Sequence, residues 1–147
     1  MVNIQLVPIP ITLAEAQSEE WASFPQDVLK GSIHLFEKVG YLPPFVGYGV
    51  SLDGQWVGTG AFKGPPQNNK VEIAYYTFPE FEGKGMGSAI CKHLVSLAKK
   101  AQPELDIMAQ TLPKESASSS ILKKNGFKKI GEFIHPEDGK VWEWKWG

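Results

Sequence analysis

A glycine-rich segment, FEGKGMGSAI, runs from Phe81 to Ile90 and passes directly into an apolar pattern with helical spacing. Gly83, Gly85 and Gly87 alternate with other residues, so successive backbone N–H groups can face one side without Cβ atoms in the way. A helix N-terminus adds roughly half a positive charge and several unbonded N–H donors. Together these features predict an anion site, and phosphate is the usual anion. A flexible loop that happens to precede a helix is the simpler alternative.

Two other phosphate-binding motifs fit this loop poorly. A Walker A loop requires GxxxxGK followed by Ser or Thr, which this stretch does not supply. The dinucleotide fingerprint GxGxxG, counted from Gly83 and Gly85, requires glycine where Ser88 stands. Doubly wound nucleotide folds also repeat the strand–helix–strand crossover, and this chain has only one. A nucleotide-binding oxidoreductase is therefore the least favoured function.

The composition is that of one ordinary globular domain spanning residues 1–147, with 42% hydrophobic and 21% charged residues. A net charge of −1 provides no field that would gather nucleic acid or an anionic membrane, so neither is expected as a partner. The 15 basic residues are all lysines. Backbone N–H groups and lysines must therefore hold any phosphate, because no arginine fork is available.

The cysteine and histidine residues bear on the cellular compartment of the protein and on metal binding. The single cysteine, Cys91, excludes an internal disulfide and suits a reducing compartment, so a cytoplasmic location is expected. His34, His93 and His135 are scattered without metal-ligand spacing, and no metal is expected. No apolar run approaches the roughly 18 residues of a membrane span.

Periodicity and turn signals predict the elements that position the loop. The predicted strands are Asn3–Val7, Phe45–Leu52, Gln55–Phe62, Val71–Phe78, Leu105–Leu112, Phe127–His135 and Val141–Trp146. The predicted helices are Leu13–Trp21, Gln26–Val39, one from the glycine loop to about Lys100, and Ser116–Lys124. This order predicts an α/β (α+β) fold with a mixed, mostly antiparallel sheet of about seven strands. Helices cover both faces, and one right-handed βαβ crossover contains the glycine loop.

With its flanks, the loop reads VEIAYYTFPEFEGKGMGSAICKHL and resembles the acetyl-CoA-binding motif of the GNAT N-acetyltransferase superfamily. Gly85 and Gly87 occupy the two glycine positions of the motif, and Pro79 stands where members commonly carry proline. A second block, PKESASSSILKKNGFKKIG, is similar to the family's short helix and strand around Gly126-Phe127. The resemblance implies acetyl transfer from acetyl-CoA to the primary amine of a small molecule or peptide, by a monomer or homodimer.

The resemblance also implies positions for the parts of CoA. The strand before the loop splays from its parallel neighbour, and its free backbone groups at Tyr75 and Thr77 would bind the pantetheine arm. Tyr76 or its neighbours would supply an N–H near the thioester oxygen. The pyrophosphate would rest on the loop, and Ser118 and Lys123 would line the CoA tail. The predicted cofactor-binding set is Tyr75, Thr77, Glu82, Gly83, Lys84, Gly85, Met86, Gly87, Ser88, Ser118 and Lys123.

Three positions depart from the family pattern. Glu82 replaces the usual Gln or Arg, Glu115 replaces a frequent Asn, and Leu122 stands where many members carry a tyrosine that acts as general acid. A carboxylate beside a pyrophosphate is unfavourable unless it points outward or pairs with Lys84. These departures favour, as the alternative, a non-catalytic acyl-CoA-binding or regulatory relative.

Glu72 is the candidate catalytic base, with Tyr76 as the second candidate catalytic residue. In several GNAT members a glutamate near the start of this strand deprotonates the acceptor amine. Strand alternation places Glu72 on the same face as Ala74 and Tyr76. A carboxylate within the apolar VEIAYY strand would be poorly solvated, which suits a base. The alternative is an edge-strand glutamate that faces water or pairs with a lysine such as Lys70.

Overall fold

A computed structural model describes residues 3–147 of the chain. Seven β-strands and three α-helices make up the described part, together with two short 3-10 helices at Glu19–Trp21 and Pro79–Phe81. In chain order these are β1 Gln5–Pro8, α1 Gln26–Val39, β2 Gly47–Leu52, β3 Gln55–Phe62, β4 Lys70–Thr77, α2 Met86–Ala101, β5 Asp106–Thr111, α3 Ala117–Lys124, β6 Phe127–His135 and β7 Gly139–Trp146. None of the described helices is long and apolar enough to cross a membrane.

The strands form one seven-stranded sheet in the order β1-β2-β3-β4-β5-β7-β6. Neighbouring strands run antiparallel except β4 and β5, which are parallel and joined through α2. A parallel pair requires a crossover connection, and a helix is the usual one. The predicted mixed, mostly antiparallel sheet with one βαβ unit is therefore confirmed.

Glycines in the sheet show which face each helix covers. A Cβ on Gly60 of β3 would lie 2.7 Å from Ile90 of α2. A Cβ on Gly47 of β2 would lie 3.5 Å from Ser32 of α1, on the opposite face. The 2.7 Å approach at Gly60 leaves no room for a Cβ, whereas 3.5 Å at Gly47 is an ordinary van der Waals distance. Helices on both faces of the sheet are thereby confirmed.

The predicted helix Leu13–Trp21 is wrong, because this segment forms turns and the 3-10 helix Glu19–Trp21. Trp21 is buried and stacks on Trp56 with ring centroids 4.7 Å apart, whereas Leu13 stays exposed. An α-helix needs a continuous apolar stripe to pack against the sheet, and this segment offers one large anchor near its end. Tertiary packing of that anchor therefore determines the local structure.

The parallel pair β4–β5 is short. The two strands pair in register only at Lys70, Glu72 and the residue between them, which lie opposite Asp106–Met108. Beyond Glu72, β4 continues to pair with β3 on its other side up to Thr77. The sheet therefore opens into a wedge between β4 and β5, directly before the glycine loop.

We expect Gly49→Ala to lower the free energy of unfolding by about 1–3 kcal/mol through overpacking. A Cβ at Gly49 would lie 2.7 Å from Trp56 and 2.9 Å from Trp21, inside the aromatic cluster that fixes the 3-10 helix. Gly31→Ala in α1 is the matched control, because nothing lies within 4 Å of its added Cβ. A helical alanine there should add about 0.5–1 kcal/mol of stability. Urea denaturation of both variants tests the pair, and equal shifts would contradict the packing.

Candidate active site

Backbone groups of β4 line one side of the wedge. The Glu72 carbonyl accepts a hydrogen bond from the Lys63 N–H and the Phe78 N–H donates to the Val57 carbonyl, each at 2.9 Å. Both bonds are directed toward β3, and backbone groups alternate sides along a strand. The N–H and C=O groups of Tyr75 and Thr77 therefore face the wedge. The Tyr76 N–H faces β3 and is therefore not directed into the wedge, whereas the N–H groups of its two neighbours on the strand are.

The glycine loop closes the C-terminal end of the wedge. Gly83 and Gly85 have φ angles of +75° and +83°, a left-handed conformation that favours glycine. Gly85 is the N-cap of α2 and offers no side chain to the first turn, so the early N–H groups of the helix stay open. At Gly87 a Cβ would lie 2.7 Å from Ile121 Cδ1 and 3.5 Å from Thr77 Oγ1. The loop can thus accept an anion at its backbone.

Helix α3 covers the same wedge. Ser116 and Ser119 form a reciprocal capping box that starts the helix. The Tyr75 hydroxyl donates to the Ser118 carbonyl at 3.3 Å, and the Asn125 side-chain amide donates to Ser88 Oγ at 3.1 Å. These two contacts hold α3 against β4 and against the start of α2.

The wedge, the loop and α3 enclose a cavity of about 700 Å³, within the range of small-molecule sites. Of the predicted site residues, those that line it are Tyr75, Tyr76, Thr77, Glu82, Gly83, Gly85, Met86, Gly87, Ser88 and Ser118. Sequence reasoning missed the lining residues Phe81, Ala117, Ser120, Ile121 and Lys124. Four of these follow helical i, i+3, i+4, i+7 spacing on α3, which is a signal that the sequence already contained.

Lys84 and Lys123, both predicted to contact the cofactor, do not line this cavity. Lys84 Nζ lies 5.8 Å above the Phe81 ring, and no ion pair joins it to Glu82 in the described residues. Lys123 Nζ lies 3.0 Å from Glu115 Oε2. A hydrogen bond from Lys123 lowers the pKa of the exposed Glu115 carboxyl. Lys124 is the α3 lysine that lines the cavity.

Glu72 lies on the other face of the sheet. Its Oε2 is 2.7 Å from Lys63 Nζ, so its ionic partner is Lys63 and not Lys70. That oxygen is buried, and the ammonium is not aligned with it for a hydrogen bond. Glu72 lines a second cavity of about 320 Å³, together with Met108 and Glu143. Because Glu72 is the last residue of β4 that pairs with β5, it stands where the wedge begins.

Other reactive groups are less accessible. Cys91 is buried, and burial raises the pKa of its thiol to about 12, so it stays protonated and unreactive at neutral pH. Burial also raises the pKa of the Tyr75 phenol, which keeps its hydroxyl a hydrogen-bond donor. Leu122 is 1% exposed and belongs to the core. No group of three or more potential metal-ligating side chains occurs within residues 3–147.

Solved structures show where this arrangement recurs. RimL, a ribosomal L7/L12 alpha-N-protein acetyltransferase in complex with coenzyme A, matches with a TM-score of 0.72 and 17% identity over 99% of this chain and 94% of that one. RimJ of Mycobacterium smegmatis in complex with CoA-disulfide matches with a TM-score of 0.72 and 17% identity, over 98% and 81%. A chimera of the Vibrio cholerae spermidine N-acetyltransferase SpeG with hSSAT matches with a TM-score of 0.67 and 13% identity, over 97% and 94%. These likenesses establish the shared fold.

Sequence comparison establishes the family. No curated protein matches the chain closely enough to be counted as a relative. The model of the acetyltransferase (GNAT) domain matches residues 6–128, which include the wedge strands, the glycine loop and α3. The chain therefore belongs to the GNAT acetyltransferase family.

Proposed function

We propose that residues 1–147 form a single domain that transfers an acetyl group from acetyl-CoA to a primary amine. The observation that carries this proposal is the cavity of about 700 Å³ in which free β4 backbone groups lead to the open N-terminus of α2. The family match supports a transferase, and the structurally similar RimL and SpeG are an alpha-N-protein acetyltransferase and a spermidine N-acetyltransferase. A cytoplasmic enzyme acting on a small-molecule or peptide amine, as a monomer or homodimer, fits this reading.

Main-chain N–H groups would bind the cofactor. The N–H groups of residues 83–88 would hold the pyrophosphate, since a helix N-terminus stabilises negative charge. The extended pantetheine arm would hydrogen-bond to the Tyr75 and Thr77 backbone groups, in the place of a neighbouring strand. Ser118 of α3 lines the same cavity. The arm then leads from the loop back along β4 toward Glu72. When bound, acetyl-CoA supplies the thioester that activates the acetyl group.

The acceptor amine would bind on the opposite face of the sheet. Glu72 would remove the proton from the amine, directly or through water, near the point where β4 and β5 separate. The 2.7 Å contact with Lys63 orients the carboxylate. The Tyr75 N–H points into the wedge, where a developing oxyanion would need a donor. Tyr76, a residue that is 53% exposed, lines the cofactor cavity and is the second candidate catalytic residue.

A non-catalytic acyl-CoA-binding relative is the second candidate. Glu82 lines the cofactor cavity and Leu122 lies in the core where a tyrosine acid is usual, and both features favour this candidate. Turnover decides between the two. Release of free CoA from acetyl-CoA with any member of a broad amine panel supports the enzyme, whereas binding without release across the panel supports the relative.

Gly87→Val should abolish acetyl-CoA binding. The added side chain would project between Ile121 and Thr77, into the space that the phosphates need. Isothermal titration calorimetry with acetyl-CoA measures the effect. Gly31→Val, on an open face of α1, is the matched control and should bind as wild type does. Unchanged affinity in a folded Gly87→Val variant would exclude this placement.

Glu82→Gln should tighten acetyl-CoA binding roughly threefold to tenfold, because removing a nearby negative charge relieves repulsion of the phosphates. The gain should shrink at high salt, where screening already weakens that repulsion. Glu80→Gln, outside the cavity lining, is the control of equal charge change. Weaker binding by Glu82→Gln would mean that the carboxylate makes a required contact.

Glu72→Gln should lower kcat by about a hundredfold or more and leave the acetyl-CoA affinity nearly unchanged, because the base is lost while the cofactor cavity is intact. Glu104→Gln, an exposed carboxylate outside both cavities, controls for the charge change. Steady-state CoA release and calorimetry together provide the two readouts. Wild-type turnover of the Gln variant on an accepted amine would remove Glu72 from the mechanism.

A further inference from the structure

The second cavity, which Glu72 lines, has a charge pattern of its own. Its volume is about 320 Å³, at the lower end of small-molecule sites. The charged side chains that line it are two lysines and two glutamates: Lys63, Lys70, Glu72 and Glu143. The remaining lining is small or apolar apart from Gln67, and it includes Val39, Pro65 and Met108. A small ligand with both a positive and a negative group would match this lining.

Two of the four charges are already used. Lys63 and Glu72 pair with each other at 2.7 Å. Among the described residues, neither Lys70 nor Glu143 takes part in an ion pair. One cation and one anion therefore remain to contact a ligand.

The sheet register fixes the order of these groups. Lys70 and Glu72 are two residues apart on β4 and share a face. Glu72 lies beside Met108 of β5, and Glu143 of β7 lies opposite Gln110, which is two residues further along β5. Lys70, Glu72 and Glu143 therefore follow one another toward the wedge. From the level of Lys70 to that of Glu143 the strands advance by four residues, about 13 Å.

We propose that this cavity is the acceptor site and that it selects an ω-amino carboxylate, an amine separated from a carboxylate by several bonds. The carboxylate contacts Lys70, and the amine lies between Glu143 and Glu72 at the mouth of the wedge. Such a ligand places its nitrogen nearest the thioester, while the separation of the two charges sets its length. This inference rests on the proposed acetyltransferase function and names its substrate class.

The transfer balances with these groups. Glu72 takes a proton from the ammonium, and the neutral nitrogen forms a bond to the acetyl carbon as the bond from that carbon to sulfur breaks. The electron pair of the broken bond stays on sulfur, which takes up a proton. The nitrogen loses its second proton to solvent. Lys70 and Glu143 position the acceptor and exchange no proton.

A chain-length series tests the inference. Glycine, 4-aminobutanoate and 6-aminohexanoate are compared with ethylamine, butylamine and hexylamine as acceptors, by CoA release. For the wild type, kcat/KM should be at least about tenfold higher for 6-aminohexanoate than for hexylamine, as one charge-assisted contact predicts. Glycine should be a poor acceptor because it is too short to reach both groups.

Single substitutions test which side chains cause the preference for the ω-amino carboxylate. Lys70→Gln should abolish the preference, so that kcat/KM for 6-aminohexanoate falls to about the value for hexylamine. Lys92→Gln, an exposed lysine on α2, is the control and should keep the preference. Glu143→Gln should raise KM for both amines, because both present an ammonium. An unaltered preference in Lys70→Gln would overturn the inference.

The outcomes separate this inference from the proposed function. Equal turnover of 6-aminohexanoate and hexylamine by the wild type would overturn the substrate class and leave the acetyltransferase intact. Without turnover of any amine the acetyltransferase proposal fails, and saturation-transfer NMR with 6-aminohexanoate then tests the cavity alone. A signal that Lys70→Gln removes and Lys92→Gln retains supports the site. Absence of the signal in the wild type overturns it.

Discussion

The separation of β4 from β5 is the constraint on which the rest of the structure depends. Hydrogen-bonding groups inside a sheet are normally paired, and leaving several of them open costs free energy unless water or a ligand satisfies them. The neighbours of the two strands keep them apart. β4 is paired with β3 as far as Thr77, and β5 is paired with β7 through Thr111. A buried hydrogen bond from Trp144 Nε1 to Thr111 Oγ1, 3.0 Å long, further fixes β5.

Because side chains alternate along β4, its two faces border different cavities. Tyr75 and Thr77 direct their side chains toward α2 and α3, as the Tyr75–Ser118 hydrogen bond shows. Glu72 and Tyr76 direct theirs to the face that α1 covers. One strand thus borders both the cavity beside the glycine loop and the cavity beside Lys63. A one-residue slip of β4 would exchange the two sets of side chains.

Sequence reasoning succeeded where local chemistry determines structure. Helix Gln26–Val39 and strands Gln55–Phe62 and Phe127–His135 match their predicted bounds, because apolar periodicity and turn residues specify them. The predictions failed where contact with a residue far along the chain determines the local structure. Trp21 packs on Trp56, far along the chain, and this contact overrides the predicted helix. Glu72 pairs with Lys63 of the loop after β3, and no spacing along β4 could indicate that partner.

In the candidate site, too, local sequence signals indicate some of the lining residues, and tertiary packing determines the others. Its loop residues other than Lys84 line the cavity, because the glycine spacing and the following helix are local signals. Lys123 was predicted there and Lys124 lines the cavity instead. The two differ by one position, about 100° around a helix of 3.6 residues per turn. Only the packing of α3 fixes that rotation, through Leu122 in the core.

The absence of arginine explains why the loop conformation carries so much of the proposed anion recognition. A guanidinium fork would hold a phosphate from the side and tolerate some variation in the backbone beneath it. Lysines alone act as point charges, and Lys84 instead lies above the Phe81 ring. The donors must then come from the main chain, whose direction depends on φ angles of +75° at Gly83 and +83° at Gly85. Since those N–H groups do not depend on side chains, the loop can carry Glu82 within the cavity lining and still present a positive end to a phosphate.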